Sequence, residues 1–220
     1  MPRWPMLLPL AAIVAAAPAL AADETKPHAH QGVLAPYPLP PKKPALTADE
    51  LKTLASGGTV EKQLKEEGSA GGRGLAVQDI HASTDIVWGR ITDYAKYPTM
   101  VDNVDACSVY KTEGDHIYAS FSISAMFVGV DYYIDHIYRP EQNYMTWTLD
   151  YSRESDLDDS VGFWYVEAID GKPGWTRVYY SVDVRLKGWV PGTIENMIAK
   201  SGLTKATAWV KAESEKKAGN

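Results

Sequence analysis

From residue 75 the polar and apolar positions fall into a regular order. At 117–128, Ile117, Ala119, Phe121, Ile123 and Ala125 share one face while Tyr118, Ser120, Ser122 and Ser124 share the other. A period of two is that of a strand with one side in a core and one in water. The stretches 75–81, 104–111, 130–138, 144–151, 162–169 and 175–186 also read as strands. The connections Glu113-Gly114-Asp115, 139–143 and 170–174 carry turn residues and are short, so the strands from 104 onward form antiparallel hairpins. The same alternation turns Val130, Tyr132, Ile134 and His136 inward, then Met145, Trp147 and Leu149, then Val178, Tyr180, Val182 and Val184. Both faces of 162–169 are apolar. Placing Trp164, Val166 and Ala168 inside puts Glu167 in water, and we adopt that choice.

Helical signals lie around this block. Thr47-Ala48-Asp49-Glu50 is a capping box that opens a helix from 48 to about 55, closed by Gly57 and Gly58. Ser83 caps a second helix in which Val87, Ile91 and Tyr94 recur at helical spacing, and Tyr97-Pro98 ends it. Pro191 stands where a first helical residue is expected, and Ile194, Met197, Ile198, Gly202, Ala206, Trp209 and Val210 then define one face of a terminal helix. That face is small at Gly202 and Ala206, which suits a helix break, close packing on a sheet, or the border of a cavity.

The first 21 residues show a different pattern. Arg3 is followed by an apolar run over 6–17 that Pro9 interrupts, and Ala19-Leu20-Ala21 forms a small-x-small site. The run is shorter than the roughly 20 residues a bilayer span needs, so it reads as a cleaved signal peptide, 1–21, and the protein as periplasmic or secreted. Residues 22–45 carry Pro27, Pro36, Pro38, Pro40, Pro41 and Pro44 without apolar periodicity and read as an extended linker in which His28 and His30 are solvated rather than a metal clip. Residues 46–74 form a short helical lead-in. Its glycine-rich end, 68–74, lacks the lysine of a phosphate loop. The domain proper is expected at 75–216.

Composition narrows the chemistry. Tyr (13) and Trp (7) far outnumber Phe (3), which suits a core that meets a ligand or a wet rim. Net charge is −6, or −7 once Arg3 is removed, with no basic stripe. Nucleic acid is therefore excluded as a partner, and membrane contact is at most transient. Cys107 is the sole cysteine, so there is no internal disulfide, and it reads as a small core residue. The acidic group Asp150, Glu154, Asp156, Asp158 and Asp159 lacks the ligand pattern of a calcium loop and reads as a solvated hairpin tip. No Ser/His/Asp or Cys/His constellation is present, so no catalytic residue, metal or cofactor is assigned.

Three passages carry a family resemblance. They are 80–88 leading to 92–98, Gly162-Phe163-Trp164, and 176–180 followed by Val190-Pro191. In this order, over about 75–213, they resemble the START-like, or SRPBCC, superfamily, and are most similar to its polyketide cyclase/dehydrase and coenzyme-Q-binding branch. The resemblance implies an α+β helix-grip fold, a curved antiparallel sheet of about seven strands wrapped around the long C-terminal helix. It also implies an apolar tunnel between sheet and helix, in which the inward residues Phe121, Ile123, Tyr132, Ile134, His136, Met145, Trp147, Trp164, Tyr180, Ile198 and Gly202 would hold a hydrophobic small molecule. A ligand burying about 300 Å² of apolar surface would gain roughly 7 kcal/mol before ordering costs. The expectation is an exported binding or transfer protein for a lipid, sterol/hopanoid or quinone, without chemistry of its own. The alternative is a cyclase- or lyase-like enzyme using His136 and a tyrosine.

Overall fold

The computed structural model describes residues 22–64, 73–125, 128–188 and 192–220. The segment 1–21, expected to be a signal peptide, and residues 68–72 of the glycine-rich stretch lie outside these. The elements run α1 (Ala48–Ala55), β1 (Thr59–Leu64), β2 (Arg73–Ile80), α2 (Thr84–Ile91), α3 (Tyr97–Met100), β3 (Val104–Glu113), β4 (His116–Ala125), β5 (Val128–Arg139), β6 (Tyr144–Leu149), β7 (Leu157–Ala168), β8 (Thr176–Leu186) and α4 (Gly192–Ala218). The strands form one antiparallel sheet in the order β1-β2-β8-β7-β6-β5-β4-β3. Eight strands replace the expected seven or so, because Thr59–Leu64, inside the presumed lead-in, pairs with β2 from Thr59↔Gln78 to Leu64↔Arg73. Its polar residues gave no apolar alternation by which to recognise a strand at the sheet edge.

Both sequence-level caps are present. Thr47 Oγ1 accepts from Glu50 N while the Glu50 carboxylate accepts from Thr47 N, and Ser83 Oγ accepts from Ile86 N. The inner face of the sheet carries the main core, in which Ala119, Phe121, Ile134, Met145, Trp147, Leu149, Trp164, Val166 and Val178 pack with Val87, Trp88 and Ile91 of α2 and with Val210 of α4. Cys107 joins this core. Ala168, expected inside, is exposed at the end of β7.

The described part of α4 lies along β2. Leu203 sits over Gly74, where an added Cβ would come within 2.3 Å of Leu203 Cδ1. Further along, Lys211 Nζ donates to Asp79 O at 2.9 Å and His81 N donates to Glu215 Oε1 at 3.0 Å. The buried residues of this described part are Leu203, Thr207, Val210 and Ser214; of the expected face Val210 is buried, while Ala206 and Trp209 flank it half-buried. The close approach allowed by Gly74 places Leu203 against β2.

The tract 22–45 departs most from expectation: it is a layer on the outer face of the sheet. Tyr37 packs edge-on against Phe163 at 4.8 Å, stacks beneath Arg73 at 4.2 Å, and shares a 2.6 Å hydrogen bond with Ser181 Oγ. Val33 N and Leu34 N both donate to Asp159 Oδ2 at 2.7 Å, and Lys43 pairs with Glu167. His28 is buried rather than solvated: its Nδ1 accepts from Ser155 N and its Nε2 donates to Asp158 O at 2.9 Å. The acidic group is thus a docking point for the arm, with Asp150 and Asp159 buried, not a solvated tip. Together with Leu54 of α1, the arm closes a second core of Val60, Leu75, Val77, Phe163 and Tyr179.

Candidate ligand cavity

Cross-strand register lines up one row of inner residues, Ile117, His136, Trp147, Gly162, Val182 and Gly74, from β4 to β2. Large rings occupy the middle of the row and glycines stand where something lies flat on the floor. At Gly162 an added Cβ would stand 2.0 Å from Trp147 Cζ2, so the glycine lets the indole lie across β7. Around this row the inner rings form a continuous wall. Tyr132 stacks on Phe121 at 5.1 Å, Phe121 lies 6.3 Å from His136, His136 6.2 Å from Trp147, Trp147 5.8 Å from Tyr180, and Tyr180 4.4 Å from Trp164.

Burial along the strands shows where this wall opens. On β8 the inner residues pass from buried Val178 to partly accessible Tyr180, Val182, Val184 and Leu186, and on β5 from buried His136 and Ile134 to partly accessible Tyr132 and Val130. Desolvation holds the phenols of Tyr132 and Tyr180 well above the usual tyrosine range, yet both keep accessible surface. A predominantly apolar, partly accessible wall with few polar groups is the usual form of a small-molecule site, which makes this inner face the candidate. Two open grooves, one between Ser83, Thr84 and residues 168–176 and one between residues 43–46, Leu51, Arg177 and Tyr179, lie on the surface away from this interior.

Nine of the eleven sequence-derived candidates are placed on this inner face: Phe121, Ile123, Tyr132, Ile134, His136, Met145, Trp147, Trp164 and Tyr180. Ile198 and Gly202 lie outside the residues whose surroundings the structure describes. Tyr94, Tyr97 and Trp209, outside the sequence-derived candidates, also border the wall. Tyr94 lies 5.4 Å from His136 and hydrogen-bonds weakly toward Met145 Sδ, while Tyr97 packs between Phe121 at 5.9 Å and Trp209 at 5.2 Å. The break at Tyr97-Pro98 was the available signal, because the short turns it creates aim both tyrosines back at the sheet.

His136 is the one buried imidazole on this wall. Its Nδ1 lies 3.1 Å from Ile117 O, and burial lowers its pKa to about 4. Below the ordinary value of 6.5 the unfolded chain binds a proton that the folded chain refuses, so stability falls as pH drops from 6.5 to about 4, reaching a loss of about 3 kcal/mol. Above 6.5 the group contributes no pH dependence. Denaturant unfolding of wild type and His136→Phe between pH 4 and 7 should show a smaller acid loss in the variant by about that amount. Equal losses would mean that the imidazole is not held neutral.

No family model matches the chain, and no curated protein matches it. Solved structures do. The Zhui aromatase/cyclase from Streptomyces sp. R1128 superposes with a TM-score of 0.58 at 9% identity, over 66% of this chain and 94% of that one. A STAR-related lipid transfer protein from Xanthomonas axonopodis gives 0.57 at 14% identity, over 71% and 92%. A START superfamily protein from Mycobacterium smegmatis gives 0.56 at 16% identity, over 66% and 97%. The chain has the START-like helix-grip fold. Aromatase/cyclases recur among these matches beside the lipid transfer protein. That overturns the expectation of a domain without chemistry of its own: this fold is shared by enzymes and carriers alike and does not set the chain apart from either.

Proposed function

We propose that this domain binds a hydrophobic small molecule of lipid, sterol or quinone type between the inner face of the sheet and α4, and that it does so as an exported protein. The observation that carries the reading is the aromatic wall from Tyr132 to Trp164, sealed at Val178 and Ile134 and accessible toward Val130 and Val184. The lipid transfer protein among the structural neighbours supports it through the shared fold. The short apolar run over 6–17 and Ala19-Leu20-Ala21 support export. A second reading, cyclase- or lyase-like chemistry on an aromatic or polyketide substrate, is favoured by one specific feature: a neutral imidazole set among rings is a candidate general base. The aromatase/cyclase neighbours share the fold that would hold such a substrate.

The test is mass spectrometry of the full chain expressed in a bacterium and purified natively from the exported fraction. An apolar compound should be released in near-stoichiometric amount from a protein whose N-terminus begins near Ala22. Returned to fresh protein, an unchanged compound marks a ligand and a time-dependent mass change marks a substrate. Protein that carries nothing apolar and takes up no apolar probe would overturn the binding reading, and an intact Met1 in that fraction would overturn export by cleavage.

A further inference from the structure

The cavity wall has a polar end whose hydrogen-bonding sense can be worked out. A backbone carbonyl only accepts, so the 3.1 Å contact between His136 Nδ1 and Ile117 O requires the proton on Nδ1. In a neutral imidazole, Nε2 is then a bare acceptor. Nε2 makes no hydrogen bond among the described residues, and neither do the hydroxyls of Tyr132 and Tyr180. None of these three atoms is among the fully buried polar atoms left without a partner, which include the Thr207 and Ser214 hydroxyls on α4. Each therefore keeps some accessible surface. The rings about His136, namely Tyr94, Phe121 and Trp147, supply no acceptor or donor to Nε2 and make its surroundings largely apolar.

We propose that the cavity selects hydrophobic ligands bearing a hydroxyl at the buried end, a phenol or an alcohol, which donates to His136 Nε2, over ligands whose polar end only accepts, such as ketones, quinones and ethers. Of the classes above this favours sterols over quinones, and it rests on the binding reading. The physical reason is an asymmetry. A hydroxyl gives Nε2 the donor it lacks and can itself accept from a tyrosine hydroxyl. An ether or carbonyl brought to the same place desolvates Nε2 and leaves two acceptors facing each other. An unsatisfied buried polar group costs about 1–3 kcal/mol, a discrimination of roughly five- to hundredfold.

Equilibrium dialysis at neutral pH with 2-naphthol, 2-methoxynaphthalene and naphthalene tests this on the purified protein stripped of bound compounds. The three probes share a ring system and differ in donor and acceptor. Wild type should bind 2-naphthol at least about five times more tightly than 2-methoxynaphthalene. His136→Phe should bind both equally, and His136→Gln, whose amide oxygen can accept, should keep part of the preference. Naphthalene bound with no preference between the other two would overturn the proposal and leave the cavity standing. So would a preference that survives in His136→Phe. If wild type binds none of the three probes, the cavity reading fails and the proposal with it. Because the wild-type comparison needs no variant, a poorly folded His136→Phe does not decide the result.

Discussion

A chain that begins at Leu46 should melt about 10 °C below one that begins at Ala22. Removing the arm exposes Phe163, which has no accessible surface in the intact fold, and strips Tyr37 from its place between Phe163 and Arg73. Each large side chain uncovered or lost costs about 1.5–3 kcal/mol. Asp159, fully buried, loses the backbone donors of Val33 and Leu34 and keeps Tyr151 and Ser160 as partners. Ser181 loses its contact with Tyr37, and Lys43 no longer pairs with Glu167. Against these stands the backbone entropy returned when the arm is freed, so the net loss is about 3–5 kcal/mol, and in a domain of this size each kcal/mol moves the midpoint by about 2–4 °C. Differential scanning calorimetry of the two chains measures it, with Tyr37→Ala as the single-residue version at about 3 kcal/mol. A midpoint unchanged by the deletion would return the arm to the status of a spacer.

The second large effect is expected at Gly162. Its missing side chain is occupied by the Trp147 indole, with Cζ2 at 2.0 Å and Cε2 and Cη2 at 2.5 Å from where a Cβ would stand. The indole cannot slide away easily, because the rings of His136 and Tyr180 stand close by. Gly162→Ala should therefore cost about 3 kcal/mol, at the upper end of the range for overpacked cores, and push Trp147 into the cavity. Uptake of naphthalene should fall with it. Trp147→Leu in the same chain removes the clash, so the double variant should be more stable than Gly162→Ala alone, and the non-additivity read from urea unfolding of the four proteins reports the contact itself. Additive losses would show that the indole does not lie over Gly162.

Much of this arrangement was legible in the residues. Alternation along 117–125 and 130–136 assigned the inner faces of β4 and β5, since a period of two leaves only two registers and the serines fill the other. Thr47 and Ser83 marked helix starts because their side chains replace missing intrahelical partners. The arm was not legible in the same way. Proline-rich extended chain has no periodicity, and its contacts are single anchors, Tyr37, His28 and Lys43, spaced to match the sheet below. One signal did exist: β7 alternates Trp164 and Val166 against Phe163 and Tyr165, apolar on both sides, and a strand with two apolar faces needs a cover on each.

What local sequence determined by itself is everything set by short-range periodicity and capping, namely the strands from Leu75 onward, the helix starts and the aromatic character of the inner face. Contacts between residues far apart in the chain decided the rest. Leu203 packs against β2 because Gly74, more than a hundred residues earlier, leaves room for it. Trp147 lies flat because register places Gly162 opposite. The imidazole of His136 carries its proton on Nδ1 because pairing of β4 with β5 brings the carbonyl of Ile117 to it, and no pattern within either strand contains that information.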